Sequence, residues 1–286
     1  MTAHNWDQDF KPARGRNRKT GLAQAPLLAR QDHSHPSVFL PENLLNEARN
    51  QKQLGKAPIP AICLLDPDGD ITAFVQRERG AVKSASWACF HSELWEWEEA
   101  GRRFGIVGRA VGAPFAVLIA EQLFVSGCEF LISVTSAGAI AEGLPKPSYM
   151  LVEKALRDEG TSYHYLPPAP YAAAEPQLFA AALNAALTAD LPVSRGISWT
   201  TDAPYRETAL AIAERQAQGI HAVEMEAAAL LSFAEAKRKP LIAIAHITNV
   251  MAQEPGDFDK GQDHGAETAL AIASAIVSAL FSGGGA

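Results

Sequence analysis

Several residue types in this chain stand where they can do chemistry. The run Ala222-Val223-Glu224-Met225-Glu226 sets two carboxylates two positions apart, ahead of the apolar stretch AAALLSFA. On a helix such a pair does not share a face, so the two acids are expected to have separate partners. A carboxylate can accept hydrogen bonds or balance developing positive charge, and an acidic first helical turn would also be favoured by the helix macrodipole alone. Ser136-Ala137-Gly138 offers a hydroxyl and backbone amides able to hold an oxygen. Asn249, after an apolar run, carries both a donor and an acceptor and does not titrate. It can equally cap a strand end. His164, in the run SYHY, can move protons near neutral pH, or it can be a satisfied buried histidine. Tyr163 and Tyr205 can stack on a flat ligand or pack as ordinary aromatics.

Other motifs lead nowhere. DPDGD at 66–70 puts glycine fourth, whereas a calcium loop needs it sixth with a glutamate twelfth. The glycines at 105, 108 and 112 do not spell GxGxxG, and there is no GxSxG elbow or HExxH. No metal or organic cofactor is expected.

The elements that must position these residues are legible from 60 onward. AICLL reads as a strand leading into the DPDGD turn, and 82–90 and 104–111 read as further strands. AVLIAEQLFVSG reads as a helix ended by Gly127, and EFLISVTSAG as a buried strand. Strands are expected at 148–156 and 193–199, and helices at 174–188 and 206–218. A short strand enters the AVEMEAAALLSFAEAK helix, KPLIAIAHITN is a strand, and HGAETALAIASAIVSALF is a closing helix. Such alternation predicts an α/β protein, a three-layer α/β/α sandwich around a central mixed sheet. Ligands of these sheets gather at the ends of strands. Residues 37–286 are expected to form one domain, with a short amphipathic helix within 37–56, preceded by a polar, flexible arm at 1–36.

Composition limits the function classes. Of the 286 residues 48% are hydrophobic and 20% charged, enough apolar material for a sizeable core. A net charge of -7 argues against a general nucleic-acid binder. Three cysteines without CxxC spacing, no long apolar run and no secretory leader suit a cytoplasmic protein without membrane or nucleic-acid partners.

Three stretches, taken in order, resemble the nucleoside phosphorylase superfamily, especially its uridine phosphorylase-like branch. GRAVGAPFAVLIAEQL followed by LISVTSAGAI resembles the family's glycine-rich turn, helix and phosphate- or water-binding strand end. LRDEGTSYHYLPP and RGISWTTDAPY resemble segments beside its base pocket, and AVEMEAAALLSFA its ribose-binding signature. The resemblance covers roughly 60 to 280. It implies cleavage of the bond between a nucleoside's base and its ribose. Glu226 would meet the ribose hydroxyls, with Met225 against the sugar and Glu224 also among the substrate-binding residues. Asn249, with Tyr205 and Tyr163, would lie near the base, His164 would serve as acid or base, and Ser136 and Gly138 would hold the nucleophile. It also implies a homodimer or larger homo-oligomer.

The chain departs from the family at the phosphate ligands. Where the family has GDPxR, 65–69 reads LDPDG. Its HRE is His91-Ser92-Glu93, and its RVGT opens with Ser133. Three cations are thus missing. Either water is the nucleophile, as in the family's nucleosidases, or phosphate remains the co-substrate and Arg109 supplies charge, with Arg157 and Arg206 as further candidates. Each arginine can also be an ordinary surface ion pair. A third expectation is a nucleoside-binding module without catalysis. At 206–210, RETAL lacks the family's uracil-reading residues, which disfavours uridine; Asn249 resembles the branch preferring 6-oxopurines.

Overall fold

The computed structural model describes residues 26–28, 32–251 and 257–281. Most of the arm expected at 1–36 lies outside those residues. Its described part is not free of the domain: His33 Nε2 lies 3.0 Å from the Tyr163 carbonyl oxygen.

The chain runs α1 (Pro41–Lys52), β1 (Ile62–Asp66), α2 (Asp70–Glu78), β2 (Val82–Lys83), β3 (Trp95–Glu99), β4 (Arg102–Gly108), α3 (Ala113–Val125) and β5 (Phe130–Ala139). It continues through β6 (Ser148–Asp158), β7 (Tyr171–Ala173), α4 (Pro176–Thr188), β8 (Val193–Thr201), α5 (Ala209–Ala217) and β9 (Ala222–Glu224). Helix α6 (Ala227–Lys237), β10 (Leu241–Asn249) and α7 (Ala266–Leu280) close it. The mixed sheet has the order β10-β6-β8-β9-β5-β1-β4-β3-β2, and β10 also pairs with β5. That extra pairing closes β5, β10, β6, β8 and β9 into a ring, so the sheet is half barrel and half open fan.

Strands β5 and β10 lie at this junction, and every residue of β10 is buried. Their continuous apolar runs are what a strand covered on both faces requires. Helix α7 contacts both α2 and α4, helix α3 contacts both α1 and α6, and these two groups flank the sheet. The expected three-layer sandwich is therefore present. Its core runs through Leu64, Leu65, Ile106, Ile119, Leu131, Ile132 and Leu230. Among the described residues no helix is long and apolar enough to cross a membrane.

Two local expectations need correction. Strand 82–90 shrinks to Val82–Lys83, because Trp87, Ala88 and Cys89 bury themselves from an irregular segment instead of pairing. The following WEWEE forms β3, which turns through left-handed Ala100 (φ 51) and Gly101 (φ 72) into β4. Its alternating pattern and Ala-Gly turn are hairpin signals in the sequence. The DPDGD turn is real, but helix α2 begins at once after it. Buried Asp66 caps that helix, accepting from Gly69 N at 3.1 Å, Thr72 N at 2.7 Å and Thr72 Oγ1 at 2.9 Å.

Candidate active site

Glu226 is the most constrained of the candidate residues. It is 1% exposed at the start of α6, where the chain leaves β9. One carboxylate oxygen accepts from Gly112 N at 2.6 Å, and the other from Thr135 Oγ1 at 2.8 Å. Gly112 is where the turn after β4 enters α3, at φ 88, a conformation that favours glycine. The acid is thus fixed by two elements remote in sequence. Burial pushes its pKa up to about 8, and the neighbouring Glu224 charge adds to the rise against the opposing Gly112 and Thr135 hydrogen bonds.

Glu224 has different work. One of its oxygens accepts from Glu226 N at 2.7 Å and Ala227 N at 2.6 Å, capping α6; the other accepts from Ser198 Oγ and Thr200 Oγ1. Burial raises its pKa too, opposed by those hydrogen bonds. The spacing of VEME thus gives the two acids separate sets of partners. Met225 is half-buried between them.

At the same end of β5, Ser136 meets a residue that sequence reading passed over. Asp68, in the DPDGD turn, accepts from Ser136 N at 2.9 Å and from Ser136 Oγ at 2.9 Å. Its charge also contributes to the raised pKa of Glu226. Around Asp68 lie Asp66, whose pKa burial raises to about 6, Asp70 and His246. Lys260 Nζ donates to Asp70 at 2.5 Å and stands 3.8 Å from Asp68. Burial works against the Lys260 ammonium, but Asp70, Asp68 and Asp66 outweigh it, so its pKa is raised. The only signal for Asp68 in the sequence was the acidic turn itself, which reads equally well as solvated.

Asn249 ends β10 beside Gly138, its register partner. Its side-chain oxygen accepts from Met251 N at 2.9 Å, and its amide donates to Thr248 Oγ1 at 3.1 Å. A Cβ on Gly138 would lie 3.2 Å from that oxygen and 2.9 Å from Met251 Sδ, so this close approach needs glycine. Segment 257–261, an acidic glycine-bounded stretch, is tied down. Asp257 pairs with Lys146 and accepts from Val250 N, while Asp259 N donates to Thr248 O.

The remaining candidates lie elsewhere or are engaged. Tyr205 is 99% exposed, and His164 and Arg206 are exposed. The Arg157 guanidinium covers the Tyr163 ring at 4.3 Å and donates to Ser162 Oγ and to the Leu166 and Pro167 carbonyls. Arg109, left-handed at φ 65, packs over Gly69, and among the described residues no carboxylate pairs with it. A cleft of about 600 Å³ lies away from all of these, between α4 and the end of α6. Among the described residues no three His, Cys, Asp or Glu side chains converge to hold a metal.

The strand ends of this α/β/α sandwich thus carry a buried carboxylate, Glu226, and a serine bonded to an aspartate, Ser136 and Asp68. The chain belongs to the phosphorylase superfamily, whose sequence model matches residues 63–279. It is 26% identical over 165 residues to a DeoD-type purine nucleoside phosphorylase of Brevibacillus brevis, an alignment covering 57% of this chain and 70% of that one. Its fold is similar to that of a purine nucleoside phosphorylase from Toxoplasma gondii, solved with immucillin-H (TM-score 0.68, 16% identity, 80% of this chain and 94% of that). It is also similar to that of a uridine phosphorylase from Vibrio fischeri (TM-score 0.67, 19% identity, 80% and 95%). The expected family and fold are thus both present.

Proposed function

We propose that the protein hydrolyses the N-glycosidic bond of a nucleoside, with water rather than phosphate as the nucleophile. The observation that carries this reading is the Asp68 carboxylate, bonded to both the amide and the hydroxyl of Ser136. Two donors suited to an incoming phosphate already hold an anion belonging to the chain. A phosphate there would have to displace Asp68 and face Asp66 and Asp70 across a cavity whose nearby ammonium, Lys260, is already paired.

In this scheme Glu226 accepts hydrogen bonds from the ribose hydroxyls, which strengthen as the ring gains positive charge. Asp68 takes the proton from the attacking water, and Ser136 steers it. Met225 covers the sugar, and Asn249 borders the base beside Gly138. No cofactor enters. A homodimer or larger homo-oligomer is part of the proposal, supported by exposed Val111, Val250 and Phe258 next to site residues. A cytoplasmic setting fits the three free, buried cysteines.

Phosphorolysis is the second reading, favoured by Arg109, which packs over the same turn that carries Asp68 and has no carboxylate partner among the described residues. The test is base release from inosine, adenosine and uridine in phosphate-free buffer, then with phosphate added. We expect release that ignores phosphate and yields free ribose. In Asp68→Asn that rate should fall by about 10²–10⁴-fold with little change in KM. Release that requires phosphate and gives ribose 1-phosphate would establish the second reading. Tight nucleoside binding without any release would mean a binding module.

A further inference from the structure

His246 is the least explained buried group beside this site. It is 6% exposed, and its Nε2 has no hydrogen-bond partner among the described residues. Orphaned polar atoms at such depth are uncommon and unfavourable. Yet the ring is held firmly. Tyr149 lies parallel to it, at 4.5 Å between centroids and 6° between planes, and is itself fixed by donating its hydroxyl to the Gly265 carbonyl at 2.5 Å. Gly265 abuts an edge shared by both rings, where a Cβ would stand 2.3 Å from His246 Cε1, 2.4 Å from the Tyr149 hydroxyl oxygen and 2.8 Å from His246 Nε2. The chain reaches that position through three successive left-handed residues, Asp263 (φ 49), His264 (φ 54) and Gly265 (φ 77). Two of them are not glycine, and such backbone persists only where its surroundings over-determine it.

What the clamp faces is the Asp68 cavity. His246 lines it together with Asp66, Asp68, Ser136 and His264. In the parallel β5–β10 pairing His246 stands opposite Ser136, so both side chains leave the sheet on the same face. Burial, and then the charge of Lys260, hold the imidazole pKa down at about 4 against Asp68, Asp70 and Asp259, so the ring is neutral at physiological pH.

We propose that His246 is the water-orienting partner of Asp68, its free nitrogen accepting one O–H of the nucleophile while Asp68 accepts the other. This rests on the hydrolytic reading above. The water oxygen forms a bond to the anomeric carbon of the sugar, and the bond from that carbon to the base nitrogen breaks, leaving its electron pair on the base. The water proton taken by Asp68 is passed on to the base through solvent, which restores the carboxylate. His246 gains and loses no proton over the cycle.

The experiment compares full-length wild type with His246→Phe, which keeps a ring against Tyr149, and His246→Gln, which returns a polar atom near Nε2. Each is assayed in phosphate-free buffer on whichever of inosine, adenosine and uridine the wild type cleaves fastest. His246→Phe should lose about 10²-fold in kcat with KM unchanged, and His246→Gln should regain about tenfold of that. A His246→Phe rate equal to wild type overturns the proposal. So does a folded His246→Gln no faster than His246→Phe, since the ring would then serve packing alone. Should His246→Phe fail to fold, His246→Gln decides: a lower kcat at constant KM supports the proposal, and a raised KM at constant kcat overturns it. Wild type that needs phosphate removes the hydrolytic reading itself, whereas hydrolysis indifferent to His246 removes only this inference.

Discussion

Glu226 combines two properties that are hard to hold together in one carboxyl group. It is buried beside a second acid, which favours the neutral form, and the hydrogen bonds from Gly112 N and Thr135 Oγ1 favour the charged form. With its pKa near 8, the carboxylate needed to accept from sugar hydroxyls becomes more populated as pH rises from 6.5 toward 8. On the proposed scheme kcat/KM should climb across that window. Glu226→Gln should abolish the climb and lower kcat/KM by on the order of 10²-fold or more. A pH series of initial rates on both proteins tests this; an unchanged rate in the variant would remove Glu226 from the sugar. Asp68 presents the reverse arrangement, a more exposed acid held by a strand amide and a hydroxyl.

At the scale of elements, the site depends on helices that are capped by acids from outside them. Asp66 caps α2 from the end of β1, and Glu224 caps α6 from the end of β9. Each acid ties a strand end to the helix after it, which fixes where the next functional residue falls, Asp68 in one case and Glu226 in the other. Glu224→Gln should show the cost of losing such a cap. Four donors converge on the carboxylate, and an amide would turn its own N–H donors against two of them. We expect a loss of about 1–3 kcal/mol in stability, read as a lower melting temperature, together with a loss of activity through displacement of Glu226. A variant as stable as wild type would show that the cap is dispensable.

For the whole molecule, the buried titrating groups give stability a direction with pH. Glu226 is raised from 4.5 to about 8 and Asp66 from 3.8 to about 6, so the stability each contributes is complete below its unfolded pKa and lost as pH rises through the folded value. His246, lowered from 6.5 to about 4, acts the other way, its contribution complete above 6.5 and lost as pH falls toward 4. Between pH 6.5 and 8 only the Glu226 effect among these three remains, so the melting temperature should fall across that interval. The fall should be a few degrees, on the order of 1–2 kcal/mol, and Glu226→Gln should flatten it. Calorimetry at half-unit steps of pH measures both curves; equal slopes in the two proteins would contradict the burial of that charge.

The sequence by itself determined the layered architecture, because uninterrupted apolar runs such as FLISV and LIAIAHI can be buried only as central strands, and the helices between them carry matching apolar faces. It marked Glu226, Ser136 and Asn249 by motif and order, and it showed that the usual cations were gone. It did not separate the duties of Glu224 and Glu226, since two acids two residues apart look alike until the cap and the glycine turn take their places. Nor did it single out Asp68 or His246. An aspartate in a DPDGD turn is ordinary in one dimension, and a histidine within a buried strand reads as filler. Only the closure that sets β10 beside β5, and α2 and α7 over their ends, brings Asp68, Ser136 and His246 around one cavity. Those contacts join residues far apart in the chain, and no local pattern encodes a distance that depends on how whole elements pack.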